Sequence, residues 1–196
     1  MNMKKLFMRR SWQFLIFEFI VVFIGIYGAF YLTTLREEQI ERRNQVNYYK
    51  TFMLNLDYLY INAEMVKEKV DTQIDIHKTD LEAEIELLRD IDFTNNMLIV
   101  RSGFEAENFT TIGQDYLASL DRGSNLISLI EKRANILEEE TRKYLIYAEI
   151  REKEFRSWYI EELETLSMLL SQLQQTIIKG AVPETKNIIQ QMEDGN

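Results

Sequence analysis

Residues 12–32 read WQFLIFEFIVVFIGIYGAFYL, an apolar run interrupted by a single charged side chain, Glu18. At about 1.5 Å per residue, a helix of this length spans about 30 Å, the thickness of the hydrocarbon core of a bilayer. Trp12 at one end and Tyr31 near the other are typical of the membrane–water interface. A cleaved signal peptide has a shorter apolar region followed by small residues. We therefore predict a retained transmembrane helix over residues 11–34.

Basic residues on both sides of this helix bear on its orientation. Those before it are Lys4, Lys5, Arg9 and Arg10, and those after it are Arg36, Arg42 and Arg43. Because positive charge favours the cytoplasmic side, the modest excess before the helix predicts a short cytoplasmic segment at 1–10. The extramembrane domain, residues 35–196, is then expected in the periplasm, and the helix in the inner (cytoplasmic) membrane.

One face of the predicted membrane helix carries a carboxylate and two small residues. Its members recur at steps of three and four: Glu18, Val22, Gly25, Ala29 and Leu32. Small residues four positions apart let a second helix approach closely, and an intramembrane carboxylate usually faces protein or water. We predict a helix–helix interface with Glu18 hydrogen-bonded inside it. The alternative is that Glu18 extends toward the headgroups and that the small residues are incidental.

The extramembrane sequence is predicted to be helical throughout. The chain has one Pro and seven Gly, and apolar residues alternate in steps of three and four from Val46 to Leu88, as in a coiled-coil seam. A second such helix is predicted over 125–179, ended by Gly180, with a short helix starting at Pro183. The predicted fold is all-α: the transmembrane helix continues into an elongated antiparallel helical hairpin or bundle.

The segment joining the two long helices is predicted as a connector over about 90–124. Its last residues, Asp121-Arg122-Gly123-Ser124, form a turn signal, with Ser124 as the N-cap of the next helix. Two long helices joined by a compact connector are expected to run antiparallel.

The residue inventory offers no catalytic constellation. Cysteine is absent, and a single histidine, His77, rules out a multi-histidine metal site within one chain. We expect His77 to be an imidazole on the helix seam, with metal binding across an oligomer axis as the alternative. The net charge of −9 disfavours nucleic-acid binding. No catalytic residue, metal, cofactor or small-molecule substrate is predicted, and we expect no enzymatic activity.

The middle of the predicted second long helix is rich in aromatic residues. These residues are Tyr144, Phe155, Trp158 and Tyr159. Core packing is the default interpretation of such a group, and a surface that binds a partner is the alternative.

The motif Phe17-Glu18-Phe19-Ile20-Val21-Val22-Phe23-Ile24-Gly25-Ile26, followed by Ala29 and Thr33-Thr34, resembles an uncharacterised family (a domain of unknown function) of single-pass inner-membrane proteins common in Bacteroidetes. The stretch from Phe109 to Leu120, with Gly123 beyond it, is similar to the family's central segment. Phe17 stands where the family often has Gly. The resemblance implies a periplasmic domain and a joint role for Glu18 and Gly25. It implies no activity.

These observations favour a non-enzymatic oligomeric or accessory subunit of an inner-membrane assembly. Its partners would be the lipid bilayer, further copies of itself, or another membrane protein. Two alternatives stay open. One is a periplasmic helical sensor that signals through a partner, and the other is a ring-forming ion-conducting or gating subunit that uses Glu18.

Overall fold

The computed structural model of the protein describes residues 3–89, 91–93, 114–147 and 152–194. The helices in these ranges are α1 Met3–Thr79, α2 Gln114–Tyr147, α3 Glu152–Thr176 and α4 Val182–Asp194, and a π-helical turn, Ile177–Ala181, joins α3 to α4. No strand occurs within the described ranges, so the all-α prediction is confirmed. The chain divides into two compact units, residues 1–46 and 47–196.

The first unit is formed by the N-terminal part of α1, and it includes the whole stretch predicted to cross a membrane. Where this stretch becomes polar, the hydroxyl of Thr33 donates to the carbonyl oxygen of Ala29 at 2.9 Å, and that of Thr34 donates to Phe30 at 3.1 Å. Threonine hydroxyls bonded within their own helix need no water to satisfy them. The local bonding therefore suits the edge of an apolar phase.

In the second unit, the predicted seam of α1 faces the core. Its buried apolar members are Tyr49, Leu56, Ala63, Val70 and Ile74. The seam prediction is confirmed as far as His77, which is also buried. Leu81 and Glu84, which continue the alternation, lie beyond the end of α1 and are exposed.

The helix α1 ends at Thr79 through bonds made by Asp80. The Asp80 amide donates to the Ile76 carbonyl at 2.8 Å, and the Asp80 carboxylate accepts from the Glu82 amide at 2.9 Å. An aspartate that bonds the amide two residues ahead forms a turn that competes with the helix. Lys78 lies in the last helical turn, where its positive charge suits the helix dipole.

After this turn, the chain runs back along α1. The Gln73 amide nitrogen lies 3.3 Å from the Glu86 carboxylate, and the Asn62 amide nitrogen donates to the Asp92 carbonyl at 3.4 Å. Residue numbers rise along the connector as they fall along α1, so residues 80–89 and 91–93 run back along the helix. The predicted connector therefore begins about ten residues earlier than expected. Residues 94–113, which hold most of the rest of it, lie outside the described residues.

Of the predicted hairpin or bundle, the structure has the bundle, with three helical paths. The α3–α4 path is antiparallel to α1, since Lys50 pairs with Glu193 at 2.6 Å and His77 bonds Arg156 at 3.0 Å. It is antiparallel to α2 as well, because Arg133 pairs with Glu162 and the ring of Tyr144 stacks on Phe155. Consequently α1 and α2 run parallel to each other. The expectation that the second long helix as a whole is antiparallel to the first holds only for α3 and α4.

The turn predicted at Asp121–Ser124 is wrong, because these residues lie inside α2. Leu120, Leu126 and Ile127 are buried around them. One glycine in a helix costs about 1 kcal/mol relative to alanine, and a single buried leucine returns about 1.5–3 kcal/mol. Packing therefore outweighs the turn signal of Gly123. The predicted helix 125–179 is in fact two helices, α2 and α3.

Gly180 does not end a helix as predicted, since it lies in the π-helical turn that continues into α4. A Cβ placed on Gly180 would lie 2.7 Å from the Oγ of Ser119 in α2. Glycine at this position therefore allows α2 and the turn to approach closely. The amide of Val182 donates to the carbonyl of Ile177, and Pro183 follows in the first turn of α4, close to where a helix start was predicted.

Candidate interaction surfaces

The apolar stretch of α1 in the first unit leaves its side chains uncovered. Among the described residues, α1 alone is long and apolar enough to cross a membrane. The large apolar side chains from Trp12 to Leu32 that the structure describes are exposed. A soluble monomer rarely exposes so large a contiguous apolar patch. Lipid or protein must therefore cover it.

The five residues predicted as a membrane interface lie together on this helix. Because successive residues of an α-helix are about 100° apart, Glu18, Val22, Gly25, Ala29 and Leu32 fall on one face, and each of them is exposed. No other part of the described chain lies within 4 Å of a Cβ built on Gly25. The face is therefore open to a second helix.

The aromatic group predicted as a candidate partner surface is packed on itself. The rings of Tyr144 and Phe155 are stacked, with centroids 4.2 Å apart and planes at 4°. Phe155 also lies 5.2 Å from the Trp158 ring and 6.2 Å from the Tyr159 ring. Tyr144, Phe155 and Trp158 are half-buried. These rings therefore pack the end of α2 against the start of α3.

Tyr159 does not belong to a surface at all. Its side chain is buried, and its hydroxyl donates to the Glu86 carbonyl at 2.8 Å. Burial, with the Glu86 carboxylate nearby, raises the pKa of Tyr159 to about 12. Tyr159 is therefore a neutral core residue that ties the connector to α3, as the core-packing interpretation expected.

His77 is fully buried at the end of α1, where its ring lies edge-on to Tyr159 with centroids 5.3 Å apart. Arg156, also buried, places its guanidinium 3.0 Å from the His77 Nδ1. Burial and the Arg156 charge lower the pKa of His77, against the opposing pull of Glu86 and Asp80. The imidazole is therefore neutral and accepts a bond at Nδ1 from the arginine.

This burial decides between the two interpretations of His77. A ring enclosed by its own chain cannot reach the matching ring of another copy, so metal binding across an oligomer axis is wrong. Within the described residues, no group of three or more His, Asp or Glu side chains is placed to hold a metal ion.

A second buried polar pair joins α2 to α4. The hydroxyls of Tyr116 and Thr185 lie 3.0 Å apart, and Thr185 also donates to the Ala181 carbonyl at 2.6 Å. Burial raises the pKa of Tyr116, although the bond with Thr185 acts in the opposite direction. Both hydroxyls are thus engaged in packing the bundle.

The structure also shows an apolar surface that the sequence reasoning missed. Four side chains of α1 in the second unit, here called the outer stripe, are half or more exposed: Leu54 at 59%, Tyr58 at 64%, Ile61 at 50% and Met65 at 56%. Their steps of four, three and four place them on one face, about 180° around the helix from the buried seam. The signal was present in the sequence as a second apolar alternation on the same helix.

Comparison with known proteins adds no further constraint on these surfaces: no family model matches the chain, and no curated protein or solved structure matches it.

Proposed function

We propose that the protein is a non-enzymatic, single-pass subunit of an inner-membrane assembly, which associates through one face of its membrane helix. The observation that carries the proposal is the uncovered apolar stretch of α1, on which Glu18, Gly25 and Ala29 share a face. In lipid, helices associate through close packing at small residues and through hydrogen bonds between polar side chains. This face offers both kinds of contact to another helix.

Glu18 gives the proposal its specificity. A carboxylate inside a membrane is unfavourable unless a partner or water satisfies it, so a lone Glu18 facing lipid would disfavour insertion. Contact with a second helix supplies a hydrogen-bond partner. Gly25, two helical turns further along, lets the two backbones approach closely enough for that contact.

To test the proposal, the polar residue of this face, Glu18, and its small residue, Gly25, are replaced separately. Glu18→Leu and Gly25→Ile are each expected to reduce association of the full chain, measured as the mass of the complex in mild detergent. Phe23→Leu and Ile24→Leu, which alter the opposite side of the same helix, serve as matched controls. A complex of unchanged mass in both interface variants would contradict the proposal.

The proposed orientation has its own test. The excess of basic residues before the membrane helix supports a cytoplasmic N-terminus and a periplasmic domain. The test fuses a reporter that is active only in the periplasm after Asn196. The fusion is expected to be active. Activity of a reporter that works only in the cytoplasm, fused at the same position, would reverse the topology and leave the association test unaffected.

A further inference from the structure

The outer stripe of α1, formed by Leu54, Tyr58, Ile61 and Met65, is an apolar face that no described part of the chain covers. The stripe lies on a helix whose opposite side is already committed to the core. The described part of the chain leaves half or more of each of these side chains exposed. An apolar face of this kind on a protein surface marks a site of contact with another molecule.

We propose that the outer stripe binds the same stripe of a second copy of this chain, as a short parallel coiled coil. The steps of four, three and four match alternating d and a positions of a heptad, with Leu54 and Ile61 at d and Tyr58 and Met65 at a. The buried seam then occupies the outward b, c and f positions. One helix can thus pack into its own bundle on one side and against a partner on the other.

The charges beside the stripe select a copy of the same chain in a parallel arrangement. In a parallel pair, a g position faces the e position of the next heptad on the partner, which sets Glu64 against Lys69. Asp57 and Lys50 at g face Asn62 and Asn55 at e, so no like charges meet between these g and e positions. An antiparallel pair sets g against g and brings Asp57 close to Glu64, two carboxylates. Charge complementarity therefore favours the parallel pair.

This inference rests on the proposed function, because copies inserted into one membrane in the same orientation present the stripe in the same direction. The stripe covers about two heptads, which is short for helices that associate freely in solution. Anchoring in a shared membrane raises the local concentration of the stripes, so a weak contact is sufficient. The partner is accordingly a second anchored copy.

The absence of cysteine from the sequence permits a direct test on the full chain in native membranes. Single substitutions Leu54→Cys and Ile61→Cys place a thiol at d, where the two copies approach within the reach of a disulfide. Mild oxidation is expected to give a covalent dimer with each. Ser128→Cys, at an exposed position of α2, is the matched control and is expected to stay monomeric. No dimer at residues 54 and 61, or equal dimer at 128, overturns the proposal.

A second variant separates loss of the contact from loss of the fold. Ile61→Lys puts two positive charges against each other in the pair, and in a Leu54→Cys chain it is expected to abolish the covalent dimer. In a Trp12→Phe background, after purification in mild detergent, unchanged fluorescence of Trp158 in the aromatic group of the bundle shows that the domain still folds. A dimer that persists in this folded variant overturns the proposal.

The two proposals fail in different ways. If a complex of high mass depends on Glu18 and Gly25 but no dimer forms through residues 54 and 61, the outer stripe is wrong and the membrane interface stands. If the dimer forms through these cysteines while Glu18→Leu and Gly25→Ile leave the mass unchanged, the stripe stands and the membrane interface is wrong.

Discussion

His77 and Arg156 form a buried polar pair that joins α1 to α3, and its strength can be worked out from the contacts. Arg156→Met removes the donor that lies 3.0 Å from His77 Nδ1 and leaves that nitrogen unpaired in the core. The expected loss is about 1–3 kcal/mol. His77→Leu deprives a buried guanidinium of one acceptor, and the expected loss is about 1.5–3 kcal/mol. Each single substitution should therefore destabilise the bundle clearly.

The double variant, His77→Leu with Arg156→Met, removes both polar groups and leaves an apolar contact of similar volume. Replacing a buried polar or charged pair in this way is often close to neutral. The sum of the two single losses should therefore exceed the loss of the double variant by at least about 2.5 kcal/mol. For a domain of this size, that coupling corresponds to at least about 5 °C in melting temperature.

The assay is thermal unfolding of the full chain in mild detergent, followed by the fluorescence of Trp158. A Trp12→Phe background removes the other tryptophan. Lys78→Met is the matched control, because it breaks an exposed pair with Glu164 between the same two helices and should cost less than about 1 kcal/mol. If the sum of the two single-variant losses in unfolding free energy equals the loss in the double variant within about 0.5 kcal/mol, His77 and Arg156 are not coupled and the reasoning is refuted.

Three further results are expected in the same assay, the third with amide hydrogen exchange as an additional measurement. Because His77 has a lowered pKa in the fold, the unfolded chain binds the proton first, so stability should fall as the pH drops below about 6.5, and His77→Leu should flatten that fall; an unchanged slope contradicts a neutral His77. Gly180→Ala should cost up to about 2 kcal/mol through the clash with Ser119 after the alanine gain in helix propensity, and Ser119→Gly should restore the loss, whereas no restoration would place the strain elsewhere. Tyr159→Phe should cost about 1 kcal/mol and speed amide exchange near Glu86, and equal speeding throughout α3 would argue against a local tie.

The buried seam of α1 could be predicted from the sequence, but the end of α1 could not. From Val46 to His77 the alternation marks the side that packs on the core. The same alternation continues by chance through Leu81 and Leu88, and neither Gly nor Pro interrupts it. The signal that ends the helix is the side chain of Asp80, and a single aspartate carries little weight against a long period.

The path of the connector could not be predicted because it depends on contacts between residues distant in sequence. The bond from Tyr159 to Glu86 and that from Asn62 to Asp92 join segments 73 and 30 positions apart. They hold the chain along α1, so that α2 can run parallel to α1. Local sequence patterns do not indicate which distant residues pair. From the helix lengths alone, a compact connector was therefore expected.

The location of the two proposed association surfaces can be understood from the side chains that the bundle already uses for its own contacts. The aromatic group at Phe155 is stacked on its neighbours, His77 is satisfied at Nδ1 by Arg156, and Tyr159 is bonded to the connector. Groups that make contacts inside one chain cannot also drive its association without unfolding it. For the outer stripe in water, burial of apolar surface supplies that free energy, at about 25 cal/mol per Å². In lipid, close packing at small residues and hydrogen bonds between helices supply it. The apolar stretch of α1 and the outer stripe both present exposed side chains, which is why substitutions there should change the proposed assembly while leaving the bundle folded.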